Sequence, residues 1–388
     1  LLPFSHFDFG EEEMAKKQHC PPLEMRSAKL VAIGLTALCA SCGAASESPA
    51  PENRTAAIAD PPILQPQPLT INPPLDNAKE RNNLSGAACN GRGVCLLIGD
   101  EKRYARFFTL QGNSLVPAQR VFLLPTNEGG TEMDESDGEG IAFSNGSFYV
   151  VGSHSRTKTG DAQASRHFLF RLPGDQPSPP SADIGTETAV SGVQRTSLDP
   201  IINGHLLLSQ HLAEPPGDSR DGNSPSHGVN IEGIAVAGDD LFVGFRGPVD
   251  GDGAVILKVG ASSLFGGSSR PVETCRVPLG EGQGVRDLAA VQGGLLILSG
   301  PERRNNVAPN PEFFLWRPGS APIRLGRLAR TAGDDNPESI TVLEETAEGY
   351  RVLVLWDGDA GGLPMVVQVP KPRDDQASRT SARRSACA

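Results

Sequence analysis

The sequence has no Gly-x-Ser-x-Gly elbow, no His-Glu-x-x-His pair and no Walker loop. These absences remove serine esterases of the hydrolase fold, zinc proteases and nucleotide-driven motors. Positive charge is also scarce: 35 Lys and Arg face 46 Asp and Glu, a net charge of -11. Phosphate backbones are bound by clustered cations that release counterions, so nucleic acid is excluded as a partner. The apolar run from Leu30 to Ala40 is about half the length of a membrane-spanning helix, which argues against a permanent transmembrane segment.

Turn-forming residues are abundant instead. Gly 44 and Pro 33, with only 38% hydrophobic residues, describe many short strands joined by tight turns, an all-β chain. The acidic residues are spread along the sequence except between Glu128 and Glu139. That loop, with Glu128, Glu132, Asp134, Glu135 and Asp137, lacks the regular EF-hand spacing and reads as solvated.

From Met25 the chain reads Met-Arg-Ser-Ala-Lys, then the apolar run, then Ser41-Cys42-Gly43. A basic start, a short apolar stretch and small residues at a cleavage point make residues 25–42 a signal peptide. Residues 1–24 are then expected to be a mis-called extension. Cys39-Ala40-Ser41-Cys42 resembles a bacterial lipobox with Cys42 as the lipidated residue, although Cys39 stands where that motif has Leu. Cleavage near Ala45 to a soluble periplasmic or secreted form is the alternative. The expected location is the bacterial cell envelope, with membrane contact only through the lipid. Residues 43–80, rich in Pro, read as a linker, and 371–388 as a disordered tail.

Between these lies a repeat. Ser85-Gly-Ala-Ala, Glu139-Gly-Ile-Ala, Glu232-Gly-Ile-Ala, Asp287-Leu-Ala-Ala and Glu338-Ser-Ile-Thr each open a short strand, and their first residues lie 54, 93, 55 and 51 apart. Asn90-Gly91, Asn145-Gly146, Gly238-Asp239-Asp240 and Gln292-Gly293-Gly294 follow, supplying the positive φ that hairpins need. The next strands, such as Val94 to Ile98 and Leu241 to Phe245, are apolar on both faces, as strands between neighbouring sheets are. Third and fourth strands complete units of about fifty residues, the size of a propeller blade. The expected fold over 81–370 is therefore an all-β β-propeller with five recognisable four-stranded blades, five or six in total. The 93-residue step is expected to hold a helical insertion at about 190–228 or a degenerate blade. Leu69 to Ile71, or residues near them, are expected to close the ring.

Glu-Gly-Ile-Ala, Val-Gly-Ser-His-Ser-Arg at 151–156, Gly-Phe-Arg-Gly-Pro at 244–248, Gln-Gly-Val-Arg-Asp-Leu at 283–288 and Leu-Trp-Asp-Gly at 355–358 together resemble an uncharacterised bacterial propeller family. It is known only as a domain of unknown function and is distantly similar to phytase-like esterase propellers. The resemblance covers roughly residues 80 to 370 and implies fold more than function.

Blade strands alternate in direction, so one face should collect Glu101, Glu139, His154, Arg156, Glu232, Arg246, Arg286, Asp287, Glu338 and Asp357. Glu139, Glu232, Asp287 and Glu338 are expected to converge on the axis, where crowded carboxylates must bind a cation or share protons. Ca²⁺ or Mg²⁺ is the expected ion. The competing reading pairs each carboxylate with Arg156, Arg246 or Arg286. Free arginines would instead hold a small anionic ligand, with His154 moving a proton. Two functions follow: metal-assisted hydrolysis of a small phosphate or other ester, or a non-catalytic envelope binding or scaffolding propeller. The chain is expected to be a monomer. Cys89 and Cys95 flank the first hairpin turn and are expected to be bridged. Cys275 is expected to be buried and unpaired.

Overall fold

The computed structural model describes residues 60–174, 183–217, 227–303, 310–329, 336–357, 364–373 and Cys387. The extension, the signal segment, Cys42 and most of the tail lie outside the described residues.

The fold is a five-bladed β-propeller. Blade 1 runs through Leu84–Cys89, Val94–Gly99, Tyr104–Gln111 and Ser114–Phe122. Blade 2 comprises Gly138–Ser144, Ser147–Gly152, Leu169–Pro173 and Gln194–Thr196. Blade 3 comprises Asn230–Ala237, Asp240–Gly247, Gly253–Gly260 and Glu273–Pro278. Blade 4 comprises Gln283–Val291, Gly294–Pro301, Glu312–Trp316 and Ile323–Leu328. Blade 5 has Asn336–Glu345, Gly349–Asp357 and Met365–Pro370, and its fourth strand is Gln67–Pro68.

The N-terminal segment thus closes the ring two residues before the expected place. It also lays Ile63–Leu64 along the outer strand of blade 4 and Thr70–Ile71 along that of blade 1, both parallel. The end of the expected linker is therefore packed chain.

One hydrophobic cluster fills each blade interface. Leu96, Ile98 and Phe107 of blade 1 meet Phe148 and Val150 of blade 2, for example, and Leu353 and Leu355 of blade 5 meet Leu84 and Leu97 of blade 1. The middle strands are buried on both faces, which is why their sequences do not alternate.

Among the described residues the long step between the second and third repeats holds no sixth blade. Gln194–Thr196, inside the expected insertion, is the fourth strand of blade 2. The insertion proper follows as a helix at Asp199–Gly204 and a 3-10 turn at Leu208–His211. Leu198, Ile202 and Leu208 bury themselves in the cluster between blades 2 and 3.

Among the described residues two disulfides are present, Cys89–Cys95 across the first hairpin and Cys275–Cys387. The second corrects the expectation of an unpaired Cys275. That residue is buried as expected, but its partner comes from the far end of the chain, where Cys387 forms an antiparallel bridge with the outer strand of blade 3.

Candidate functional site: a ring of bulges around the axis

Every innermost strand carries a β-bulge at the same height. Pairing skips one residue between Leu84 and Gly86, Gly138 and Gly140, Ile231 and Gly233, Val285 and Asp287, and Pro337 and Ser339. The skipped residues are Ser85, Glu139, Glu232, Arg286 and Glu338. A bulge leaves its extra residue outside the ladder and re-aims its side chain. The next residue must be small where blades approach closely: a Cβ on Gly140 would stand 2.9 Å from the backbone N of Ile234, and one on Gly233 would stand 2.5 Å from Cα of Asp287.

This register corrects the fourth repeat by one position. Arg286, rather than Asp287, is equivalent to Glu139, Glu232 and Glu338. Asp287 takes the place of the glycines and is fully buried. It accepts from the backbone N–H of Leu288 and Ile340, each at 2.7 Å, and from the Ser339 hydroxyl at 2.8 Å. Burial pushes its carboxyl well up, against the opposing pull of these bonds. Asp287 ties blade 4 to blade 5.

Arg286 joins its neighbours on both sides. Its Nη1 donates to Glu232 Oε2 at 2.7 Å and its Nη2 to Glu338 Oε1. Glu232 also accepts from Arg246 Nη1 and Asn230 Nδ2, both at 2.8 Å. Arg246, Arg286 and Glu232 are each at most 5% exposed. Burying such charges is tolerable only because they are paired.

A cavity of about 80 Å³ opens beside this chain of ion pairs, lined by Glu139, Glu232, Glu338 and Arg246 among the expected residues. Such a volume admits a few waters or one small group of a ligand. Ser85, Asn83, Asn230 and Asp100 add polar groups to its wall. Asp137, Arg166 and Lys158 also line it, and sequence reasoning missed all three as site residues. Arg166 Nη1 donates to Asp137 Oδ2 at 2.8 Å, and its Nη2 binds Glu135. Glu128 pairs with Arg195. Part of the acidic loop expected to be solvated is therefore an ion-paired wall.

Glu139 differs from the other ring carboxylates. It accepts no hydrogen bond and joins no ion pair among the described residues. Its carboxyl is pushed well above the ordinary range by burial, and further by the charges of Glu232, Asp137, Asp100 and Glu338. Lys158 is exposed at the cavity and is likewise without an ion pair or hydrogen bond among the described residues.

The remaining expected residues have structural positions. His154 sits at φ 53°. Its Nδ1 donates to the carbonyl of Gly152 at 3.0 Å, and its Nε2 accepts the N–H of Leu198 at 3.2 Å. Both ring nitrogens are occupied, and burial lowers the pKa to about 4. The imidazole is thus neutral and pins the insertion rather than moving a proton in the cavity. Arg156 donates to two backbone carbonyls, those of Leu212 and Gly160. Glu101 pairs with Lys79 at 3.2 Å, and the side chain of Asp357 lies outside the described set. Among the described residues no three His, Cys, Asp or Glu side chains are grouped so as to hold one metal ion.

Residues 221–362, which run from just before blade 3 into blade 5, match the family described as "Protein of unknown function (DUF3616)". This region is similar to that family. No curated protein matches the chain. Among solved structures, a glutaminyl cyclase of Myxococcus xanthus is 12% identical with a TM-score of 0.37, the likeness covering 81% of this chain and 100% of that one. An aldose sugar dehydrogenase of Streptomyces coelicolor, in a PQQ-bound form, is 13% identical with a TM-score of 0.39 over 81% of this chain and 100% of its own. Those names describe those proteins alone.

Proposed function

We propose that this chain is an exported propeller whose axial cavity takes up a small anionic ligand of the phosphate or other ester class. The observation that carries the reading is the setting of Glu139: a buried carboxyl with no ion pair among the described residues, pushed well above the ordinary carboxylate range, lining a cavity whose other ring charges already satisfy one another. A protonated carboxyl donates a hydrogen bond where a carboxylate would repel an anion. Lys158 supplies the free positive charge. The arginines expected to hold the anion are engaged elsewhere, Arg246 and Arg286 by Glu232 and Glu338 and Arg156 by carbonyls.

If the ligand is hydrolysed, Glu139 is the group placed to protonate the leaving oxygen. Uptake without turnover is the second reading. It is favoured by the locked imidazole of His154, which leaves the expected proton carrier out of the cavity. A screen against phosphomonoesters and simple esters, with Ca²⁺ or with EDTA, separates the two. Turnover lost in Glu139→Gln supports hydrolysis, and binding without turnover supports the second reading. A native chain that shows neither binding nor turnover overturns the proposal.

Export is part of the same proposal. The two disulfides suit an oxidising compartment, and the signal segment with Cys42 as the lipidated residue would supply the route and the anchor, with the Pro-rich stretch as tether. Labelling cells with a fatty-acid analogue tests it. Equal, absent labelling of native and Cys42→Ala protein would leave the soluble form.

A further inference from the structure

Two of the segments that line the cavity are distant in sequence. One is the turn Thr157 to Asp161, which carries Lys158. It is closed by Thr157 N–H to the Asp161 carbonyl at 3.0 Å, Gly160 N–H to the Thr157 carbonyl at 2.8 Å, and Asp161 N–H to the Thr157 hydroxyl at 3.0 Å. The other is the end of the helical insertion, where Pro216 lines the cavity. The insertion's end rests on Gly228, whose N–H donates to the carbonyl of Pro215 at 3.1 Å. A Cβ there would lie 2.4 Å from the carbonyl oxygens of both Glu214 and Pro215.

Arg156 touches both segments. Its Nη1 donates to the carbonyl of Gly160 at 2.8 Å and its Nε to the carbonyl of Leu212 at 3.0 Å. A planar guanidinium fixes the angle between two acceptors, as a flexible ammonium does not.

We infer that Arg156 is the positioning residue of this wall of the cavity, tying the turn that presents Lys158 to the insertion that presents Pro216 and so fixing where a ligand's anionic group is met. The inference rests on the proposed uptake of an anion, and its specificity consequence is direct. Lys158 alone is a mobile charge on a long stem. On a clamped turn it becomes a charge at a fixed distance from Glu139, which selects ligands short enough to span the two.

The test uses the full chain with inorganic phosphate as probe. Arg156→Gln is expected to speed amide hydrogen exchange at Thr157, Gly160 and Asp161 about tenfold or more, and to weaken phosphate binding about tenfold. Arg156→Lys, which can reach only one carbonyl at a time, is expected to fall between and guards against a fold defect in the first variant. Lys158→Gln should weaken phosphate by a similar factor with native exchange, Lys158→Arg should restore binding, and Arg156→Gln with Lys158→Gln together should bind no worse than Lys158→Gln alone. Unchanged exchange in both Arg156 variants, or losses of affinity that multiply in the double variant, would overturn the inference. If the native chain binds no phosphate, the anion reading of the cavity falls, and the exchange measurement still decides the clamp.

Discussion

Arg286 and Glu232, bulge residues of adjacent blades, meet at 2.7 Å with both side chains at most 5% exposed. Adjacent blades need only apolar faces to pack, so a buried charge pair at their shared inner edge is placed there for the axis. Removing one partner of such a pair strands the other, a cost of about 3 to 5 kcal/mol. Arg286 serves two carboxylates, Glu232 and Glu338. Arg286→Met is therefore expected to destabilise the propeller by at least that amount in urea unfolding. Adding Glu232→Gln and Glu338→Gln is expected to recover part of it. A loss under about 1 kcal/mol would mean that the ring charges are not held by one another.

The same pairing sets the expected response to divalent cations. Ligand binding to the native state raises the melting temperature, and carboxylates already compensated by guanidinium groups offer a cation little. Ca²⁺ and Mg²⁺ at millimolar concentration are expected to leave Tm unchanged, with EDTA equally without effect. A rise of several degrees that Glu232→Gln abolishes would return the ring to the metal-assisted reading.

His154 makes the fold sensitive to acid. Its folded pKa, lowered to about 4 by burial, lies below the ordinary 6.5 of the unfolded chain. Its contribution is therefore present above pH 6.5 and is lost as pH falls through about 4, on the order of 3 kcal/mol in all. His154→Asn, a residue that tolerates positive φ, is expected to lower stability at pH 7 and to flatten the fall between pH 6.5 and 4. An undiminished slope in that variant would assign the acid sensitivity to other groups.

Glu139 has the opposite sign. Its folded pKa is raised above 4.5, so the folded chain keeps a proton that the unfolded chain has released. Its stabilisation is complete below pH 4.5 and is lost as pH rises through the raised folded value. Relative to Glu139→Gln, the native chain should lose stability with rising pH over that window. Parallel stability curves for the two proteins would contradict this.

The blades were legible because each hairpin carries its own turn residues and each middle strand is apolar throughout. Four features were not. The fourth repeat reads as Asp287-Leu288-Ala289-Ala290, an acid followed by apolar residues, whereas the bulge between Val285 and Asp287 sets the register at Arg286-Asp287-Leu288-Ala289. That one-residue choice exchanges a ring carboxylate for a ring cation, which turns four expected acids seeking a metal into two acids, Glu232 and Glu338, bridged by an arginine, with Glu139 outside the bridge. Gln194–Thr196 was hidden for a different reason. It is a three-residue, mostly exposed outer strand with no apolar alternation to betray it. The partner of Cys275 stands 112 residues away, beyond the reach of any argument made within one repeat. Lys158 gave no signal because a single lysine in a polar loop looks like any surface charge; its role depends on the turn that places it.

The account turns on the protonation of Glu139, and titrating that carboxyl measures it directly. In a ¹³C spectrum of glutamate-labelled protein, the resonance absent from Glu139→Gln is expected to titrate well above 4.5, the only ring carboxyl to lack a described partner. Added phosphate is expected to shift that same resonance. A Glu139 resonance that titrates near 4.5 would make it an ordinary carboxylate facing the cavity, and the proposed uptake of an anion there would be wrong.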